Sequence, residues 1–138
     1  MNIKEITLLT IEEARLLSAE QLKFEDIWWL RSPGRFIVGS RIVRADGKPG
    51  GDGGTVVDNP MVCVRPALKV EFSNFHIGDR INLLGYDWTL VLDDTFLCGR
   101  SIGEHCFRRN RNAPDANVWE ASDLKPWLEQ WLREQLYK

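Results

Sequence analysis

The residues best equipped for chemistry are Cys98, His105 and Cys106, which could offer soft donors to a metal. A zinc site takes about four ligands, usually with paired C-x-x-C spacing. Cys63 would have to complete the set by folding, so no metal site is expected. A thiol nucleophile would pair Cys98 or Cys106 with His76 or His105. No spacing supports that pairing, and adjacent residues of a strand, such as His105 and Cys106, point to opposite faces. The stretch Asp46-Gly47-Lys48-Pro49-Gly50-Gly51-Asp52-Gly53-Gly54 raises two further chemistries. As a phosphate loop it fails, because the Walker pattern wants GK followed by Ser or Thr and Lys48 is followed by Pro49. As a calcium loop it offers Asp46 and Asp52, with Asp58 beyond. Calcium takes roughly six to eight oxygens, so the supply is thin. A flexible hairpin tip is the preferred reading.

Arg108, Arg109 and Arg111 form a basic cluster that could meet phosphate or an acidic protein. Acidic neighbours balance it, and a solvated loop is preferred. Trp28-Trp29-Leu30-Arg31-Ser32-Pro33-Gly34 is the most distinctive string, with Val64-Arg65-Pro66-Ala67-Leu68 further on. On a strand, Trp28 and Leu30 share one face while Trp29 and Arg31 share the other. One tryptophan should be core. Trp29 and Arg31 could frame a ligand surface or belong to the packing, and packing is preferred. Arg31 could stack on an aromatic ring or pair with a carboxylate. A buried Arg65 would need a partner such as Asp93 or Glu71.

Local patterns set the elements that must hold these residues. Ile6 to Leu9 is a short apolar strand, and Thr10 with Glu13 has capping-box spacing before a helix over Ile11 to Leu17. Ser18 with Gln21 repeats that spacing, for a second helical turn to about Leu22. Trp28 to Arg31 is a strand ended by Ser32-Pro33-Gly34. Phe36 to Val43 is a kinked strand, residues 45 to 54 a loop, Thr55 to Val57 a strand stub, and Met61 to Val70 a strand whose Pro66 suggests an edge or bulge. Glu71 to Asn74 is a short hinge between halves 1–70 and 75–138 of a single domain. Ile81 to Leu84 and Trp88 to Leu92 form a hairpin turned by Gly85-Tyr86-Asp87, and Phe96 to Cys98 is another strand. Leu124, Trp127, Leu128, Trp131, Leu132 and Leu136 fall on one face of a helix over about 123 to 136, capped by Ser122 or Asp123.

A chain of 138 residues that is 43% hydrophobic and 28% charged has ordinary globular usage and the length of one domain. The net charge of -2 argues against nucleic acid, which wants a basic face. No apolar run approaches the roughly 18 residues that span a bilayer, so no membrane is expected. The three cysteines and the lack of an export signal favour reduced thiols and a cytoplasmic or phage-associated protein.

The two strings together resemble an uncharacterised domain family common in Firmicutes and their prophages, whose members carry WWLRSPG, a variable stretch with a DG turn, and GVRPAL. Here the variable stretch is Arg35 to Val62, Asp46-Gly47 stands at the turn, and Cys63 takes the place of the usual Gly. Ile77-Gly78-Asp79, Trp88-Thr89-Leu90-Val91, and Ala121-Ser122-Asp123-Leu124 leading to Trp127-Leu128 look like the family's other half, in permuted order. More distantly, the tryptophan strand, variable loop and arginine strand are similar to the C-type lectin-like fold shared by formylglycine-generating enzymes. That resemblance implies that the loop presents ligands. The lectin motifs EPN and WND are absent, as is the cysteine or copper pattern that formylglycine generation would need.

The expected fold is α+β: a small, twisted, mostly antiparallel sheet, C-type lectin-like, with a C-terminal amphipathic helix and a short N-terminal helix. The expected function is a non-enzymatic binding module of phage or mobile-element origin that presents the 35–62 region. Its ligand-binding residues would be Trp29, Arg31, Arg35, Phe36, Asp46, Asp52, Asp58 and Asn59. No cofactor or metal is implied. The partner would be a protein or small ligand, and exposed tryptophans with an edge strand would favour a homodimer. The alternatives are a small enzyme of formylglycine-generating or hydrolytic type and a phage-encoded inhibitor of a host protein.

Overall fold

Two antiparallel sheets organise the protein, a computed structural model of which describes residues 2–71 and 74–138. The larger has five strands: β1 (Ile3–Thr7), β5 (Ala67–Val70), β8 (Thr95–Cys98), β7 (Tyr86–Leu92) and β6 (Arg80–Leu83), adjacent in that order. The smaller joins β2 (Trp28–Pro33), β3 (Gly39–Val43) and the stub β4 (Thr55–Val56). Helix α1 (Ile11–Arg15) and the single turn α2 (Ala19–Leu22) follow β1, and α3 (Leu124–Leu136) comes last, after a 3-10 turn at Trp119–Ala121. The architecture is α+β with mostly antiparallel sheets and a C-terminal helix. Among the described residues no helix is long and apolar enough to cross a membrane.

Both helix starts follow from their caps. Thr10 Oγ1 accepts the Glu13 N–H and the Glu13 carboxylate accepts the Thr10 N–H. Ser18 and Gln21 repeat this reciprocal arrangement. At α3 the cap is Ser122, whose backbone is extended, and not Asp123, whose dihedrals are helical. Ser122 Oγ accepts the Lys125 N–H at 3.1 Å, whereas the Asp123 carboxylate takes the Arg109 N–H at 2.7 Å.

Alternation along the strands separates two cores. Trp29, Leu68, Trp88, Leu90, Phe96 and Leu128 lie in one. Trp28, Leu30, Ala67, Val91 and Leu97 lie in the other, with Ile11, Ala14 and Leu22 from the helical segment. Residues 1–70 and 75–138 meet in the same sheet, since β5 pairs with both β1 and β8.

Several boundaries are not where local pattern puts them. The expected strand Met61 to Val70 is regular only from Ala67, and β5 is an inner strand rather than an edge. Pro66 needs no bulge, because it precedes the ladder and its carbonyl accepts the Cys98 N–H at 2.9 Å. β3 begins at Gly39, and Phe36 to Val38 form an exposed turn instead of strand. The first strand ends at Thr7, and Tyr86 already belongs to β7, so Leu84 and Gly85, both with positive φ, make the hairpin turn. Of the expected hinge, Phe72 and Ser73 lie outside the described residues. Cys63, despite standing where the resembled family has Gly, does not adopt a positive φ.

Candidate functional site

Trp28, Trp29, Leu30 and Ser32 of the WWLRSPG string are built into the interior. The Trp28 indole N–H donates to the Leu22 carbonyl at 3.2 Å, and that of Trp29 donates to the His105 carbonyl at 2.8 Å. Trp29 is fully buried and tilts against Phe107, 5.6 Å between ring centroids. It therefore does not frame the 35–62 surface, because its polar edge and both ring faces are used inside. Arg31 is half-buried beside the Glu13–Lys69 ion pair, whose positive neighbourhood helps to keep Glu13 ionised, and not beside the loop tip. The Arg31 Nε has no hydrogen-bond partner among the described residues.

The remaining candidates of the 35–62 region spread along its loops. The Asp46 carboxylate is held by Arg44 at 2.6 Å and by the Lys48 N–H, which together lower its pKa to about 2. Asn59 Oδ1 accepts the Met61 N–H, Asp58 approaches Arg111 at 3.7 Å, and the Asp52 carbonyl accepts the Arg35 N–H at 2.7 Å. These are turn and loop contacts. No group of three metal-competent side chains converges among the described residues.

Arg35 and Phe36 are exposed, as are Asp46 and Asp52, but only Phe36 stands in an outward-facing apolar group. The turn after β2 exposes Phe36 at 61%, Ile37 at 55% and Val38 at 44%, with Val56 of β4 opposite Gly39 also exposed. The Arg35 guanidinium lies over the Phe36 ring, 5.8 Å from its centroid. This apolar turn rests on a rigid support. The buried Asn117 amide donates to the carbonyls of Gly34, Phe36 and Gly39, between 3.1 and 3.3 Å. A Cβ at Gly34 or Gly39 would stand 2.6 or 2.2 Å from the Gly53 carbonyl oxygen, so both glycines permit a close approach of three backbone segments. Loop 45–54 is accordingly anchored rather than loose: Gly50 N–H donates to the Ile42 carbonyl, and Arg44 N–H to that of Lys48.

The thiols are placed in structural positions. Cys63, Cys98 and Cys106 are buried, and burial pushes each thiol pKa up. His105 packs on Trp127, 4.8 Å between centroids, with Nδ1 at the Cys106 carbonyl. The basic cluster is engaged as well: Arg108 reaches Asp115 at 3.3 Å and the Ala121 carbonyl.

A cleft lies on another part of the molecule, where no local sequence pattern marks it. The cleft, of about 730 Å³, opens between α2 and strands β6 and β7. It exists because α1 and α2 cover only part of one sheet face, leaving Arg80, Asn82, Asp87 and Thr89 without a cover. Arg65 forms part of its wall and is buried with no carboxylate partner among the described residues. Its Nε–H donates to the Cys98 carbonyl at 2.7 Å, and its terminal nitrogens donate to the Leu22 and Gln21 carbonyls at 2.9 and 3.3 Å. The Trp28 ring centroid lies 5.0 Å away. Neither Asp93 nor Glu71 is its partner; backbone carbonyls at the end of α2 and an aromatic face take that role. Desolvation lowers its pKa to about 10, so it stays charged at neutral pH. Arg100, at the mouth, stacks over Tyr86 at 4.1 Å. No family model, curated protein or solved structure matches the chain.

Proposed function

We propose that the protein is a non-enzymatic interaction module that recognises another protein through the turn Arg35 to Val38 and the adjoining β4. The observation that carries this reading is the outward display of Phe36, Ile37, Val38 and Val56 on backbone pinned by Asn117 and by glycine close packing. Exposed, contiguous apolar side chains on a rigid support are what an interface core requires, and Arg35 would supply the polar rim. The resemblance of WWLRSPG and VRPAL to a Firmicutes and prophage domain family supports a phage or mobile-element origin. A separate three-stranded sheet carrying the variable stretch supports a C-type lectin-like relationship.

The test replaces exposed side chains and leaves the anchored loop intact. Shortening residues 48 to 53 would remove contacts to Ile42, Arg44 and Arg35, and so would confuse folding with binding. The double variant Phe36→Ser, Ile37→Ser should fold with unchanged circular dichroism. Immobilised wild-type protein should retain a bacterial or phage protein that the variant loses. Retention of the same proteins by both, or of none by the wild type, overturns the reading.

A further inference from the structure

We propose that the cleft between α2 and strands β6 and β7 is a binding site for a small phosphate ester of about mononucleotide size. It shares no residue with the Phe36 turn and is independent of the interaction proposed for it. The first argument is unneutralised charge. Three arginines outside the cleft pair with carboxylates: Arg44 with Asp46, Arg108 with Asp115, Arg111 with Asp58. Arg65, Arg80 and Arg100 line one cleft, and none of the three forms an ion pair among the described residues although Glu20 and Asp87 line it too. Asp87 instead accepts the Asn82 amide at 3.1 Å.

The second argument is the burial of Arg65. A charge taken out of water with no counter-charge is costly unless a partner arrives. Its three carbonyl acceptors engage one N–H on each guanidinium nitrogen, leaving one N–H on each terminal nitrogen. An anion in the cleft supplies the missing charge, and a guanidinium fork matches phosphate geometry. The third argument is shape. Val91 and Leu97 give the cleft apolar wall, Tyr86 an aromatic one, and Gln21, Asn82 and Thr89 hydrogen-bonding groups. Its volume of about 730 Å³ lies within the range of small-molecule sites. A bare anion would use the arginines and leave the walls empty, so the ligand has an organic body.

Calorimetric titration tests this with adenosine monophosphate, inorganic phosphate, adenosine and citrate. Adenosine monophosphate should bind at least about tenfold tighter than inorganic phosphate and than adenosine, the scale of one or two charge-assisted hydrogen bonds. Raising the salt concentration should weaken it. Arg80→Ala and Arg100→Ala change exposed side chains, so they should keep the thermal melt and each lower the affinity by about tenfold. Arg65→Lys should weaken binding too, but its buried position makes the two exposed variants the decisive ones. Absence of binding by adenosine monophosphate, tighter binding of citrate, or affinity unchanged in both exposed variants overturns the proposal.

Discussion

At the scale of single residues, the conspicuous strings are explained by packing. Trp28 and Trp29 feed opposite cores, and Ser32 Oγ accepts the Ile11 N–H at 2.8 Å. Gly34 lets a carbonyl approach where a side chain could not. Gly39 is the stricter case. Gly39→Ala should cost about 2 kcal/mol or more, since the new methyl would meet backbone on a neighbouring segment. Gly51→Ala, with nothing within 4 Å, should stay within about 0.5 kcal/mol, and urea melts of the two variants check the contrast. Glu13 gives a pH-dependent prediction. Burial alone would raise its pKa, but the Lys69 ammonium and the Thr10 N–H outweigh that and hold it below the ordinary 4.5. A carboxylate with a depressed folded pKa stabilises above its unfolded value and loses that contribution as pH falls through the folded one. Glu13→Gln keeps the capping geometry and removes only the charge. It should therefore destabilise by about 2 kcal/mol at neutral pH. The gap between variant and wild type should close as pH falls below about 4.5, as followed by melts across pH.

At the scale of elements, α3 shows how a cap can move by one residue. Asp123 directly precedes Leu124 but already has helical dihedrals, and its carboxylate serves the 105–112 segment through the Arg109 N–H, whereas Ser122 has the extended backbone of a cap. Ser122 supplies the acceptor for the first turn and donates to the Trp119 carbonyl. Ser122→Ala should cost about 1 kcal/mol, visible as a lower denaturation midpoint with unchanged m. The contrast between Ser122 and β5 separates what is legible in a sequence from what is not. Both capping boxes, the apolar stripe of α3 and the β6–β7 hairpin arise from neighbours a few residues apart, so their spacing announces them. The inner position of β5 depends on pairing with β1 and β8 across long separations, and a proline at its entrance resembles an edge signal. Likewise Arg65, Arg80 and Arg100 line one cleft only because β5, β8, β7 and β6 lie side by side and α2 stops short of them. No local spacing encodes that convergence. At the Phe36 turn the sequence points to Arg35 and Phe36 but reads Phe36 to Val38 as strand, because the support of the turn by Asn117 comes from some eighty residues away.

At the scale of the whole molecule, the two cores share backbone. Trp29 and Trp28 are neighbours on β2, and Leu68 and Ala67 are neighbours on β5, yet each pair divides between the cores. A strand cannot release one face while keeping the other in register, because the side-chain period is two and the hydrogen-bond ladder is common to both faces. Loss of either core should therefore dissolve both in one transition. Leu30 and Leu68 are fully buried, one in each core, so Leu30→Ala and Leu68→Ala provide the comparison. Each should cost about 3 kcal/mol. In each, tryptophan fluorescence and far-ultraviolet circular dichroism should report the same midpoint in urea, lowered from that of the wild type. Trp28 reports one core and Trp29, Trp88 and Trp119 the other, so a core that melted alone would split the two signals. Split midpoints in either variant would mean that the helical segment over residues 11–22 can detach with its core while the five-stranded sheet persists. The cleft beside α2 would then open before the fold is lost, and ligand affinity would fall in Leu30→Ala while surviving in Leu68→Ala. Coincident midpoints would make the cleft as stable as the molecule itself, since Arg65 ties the end of α2 to β8 through the Leu22 and Cys98 carbonyls.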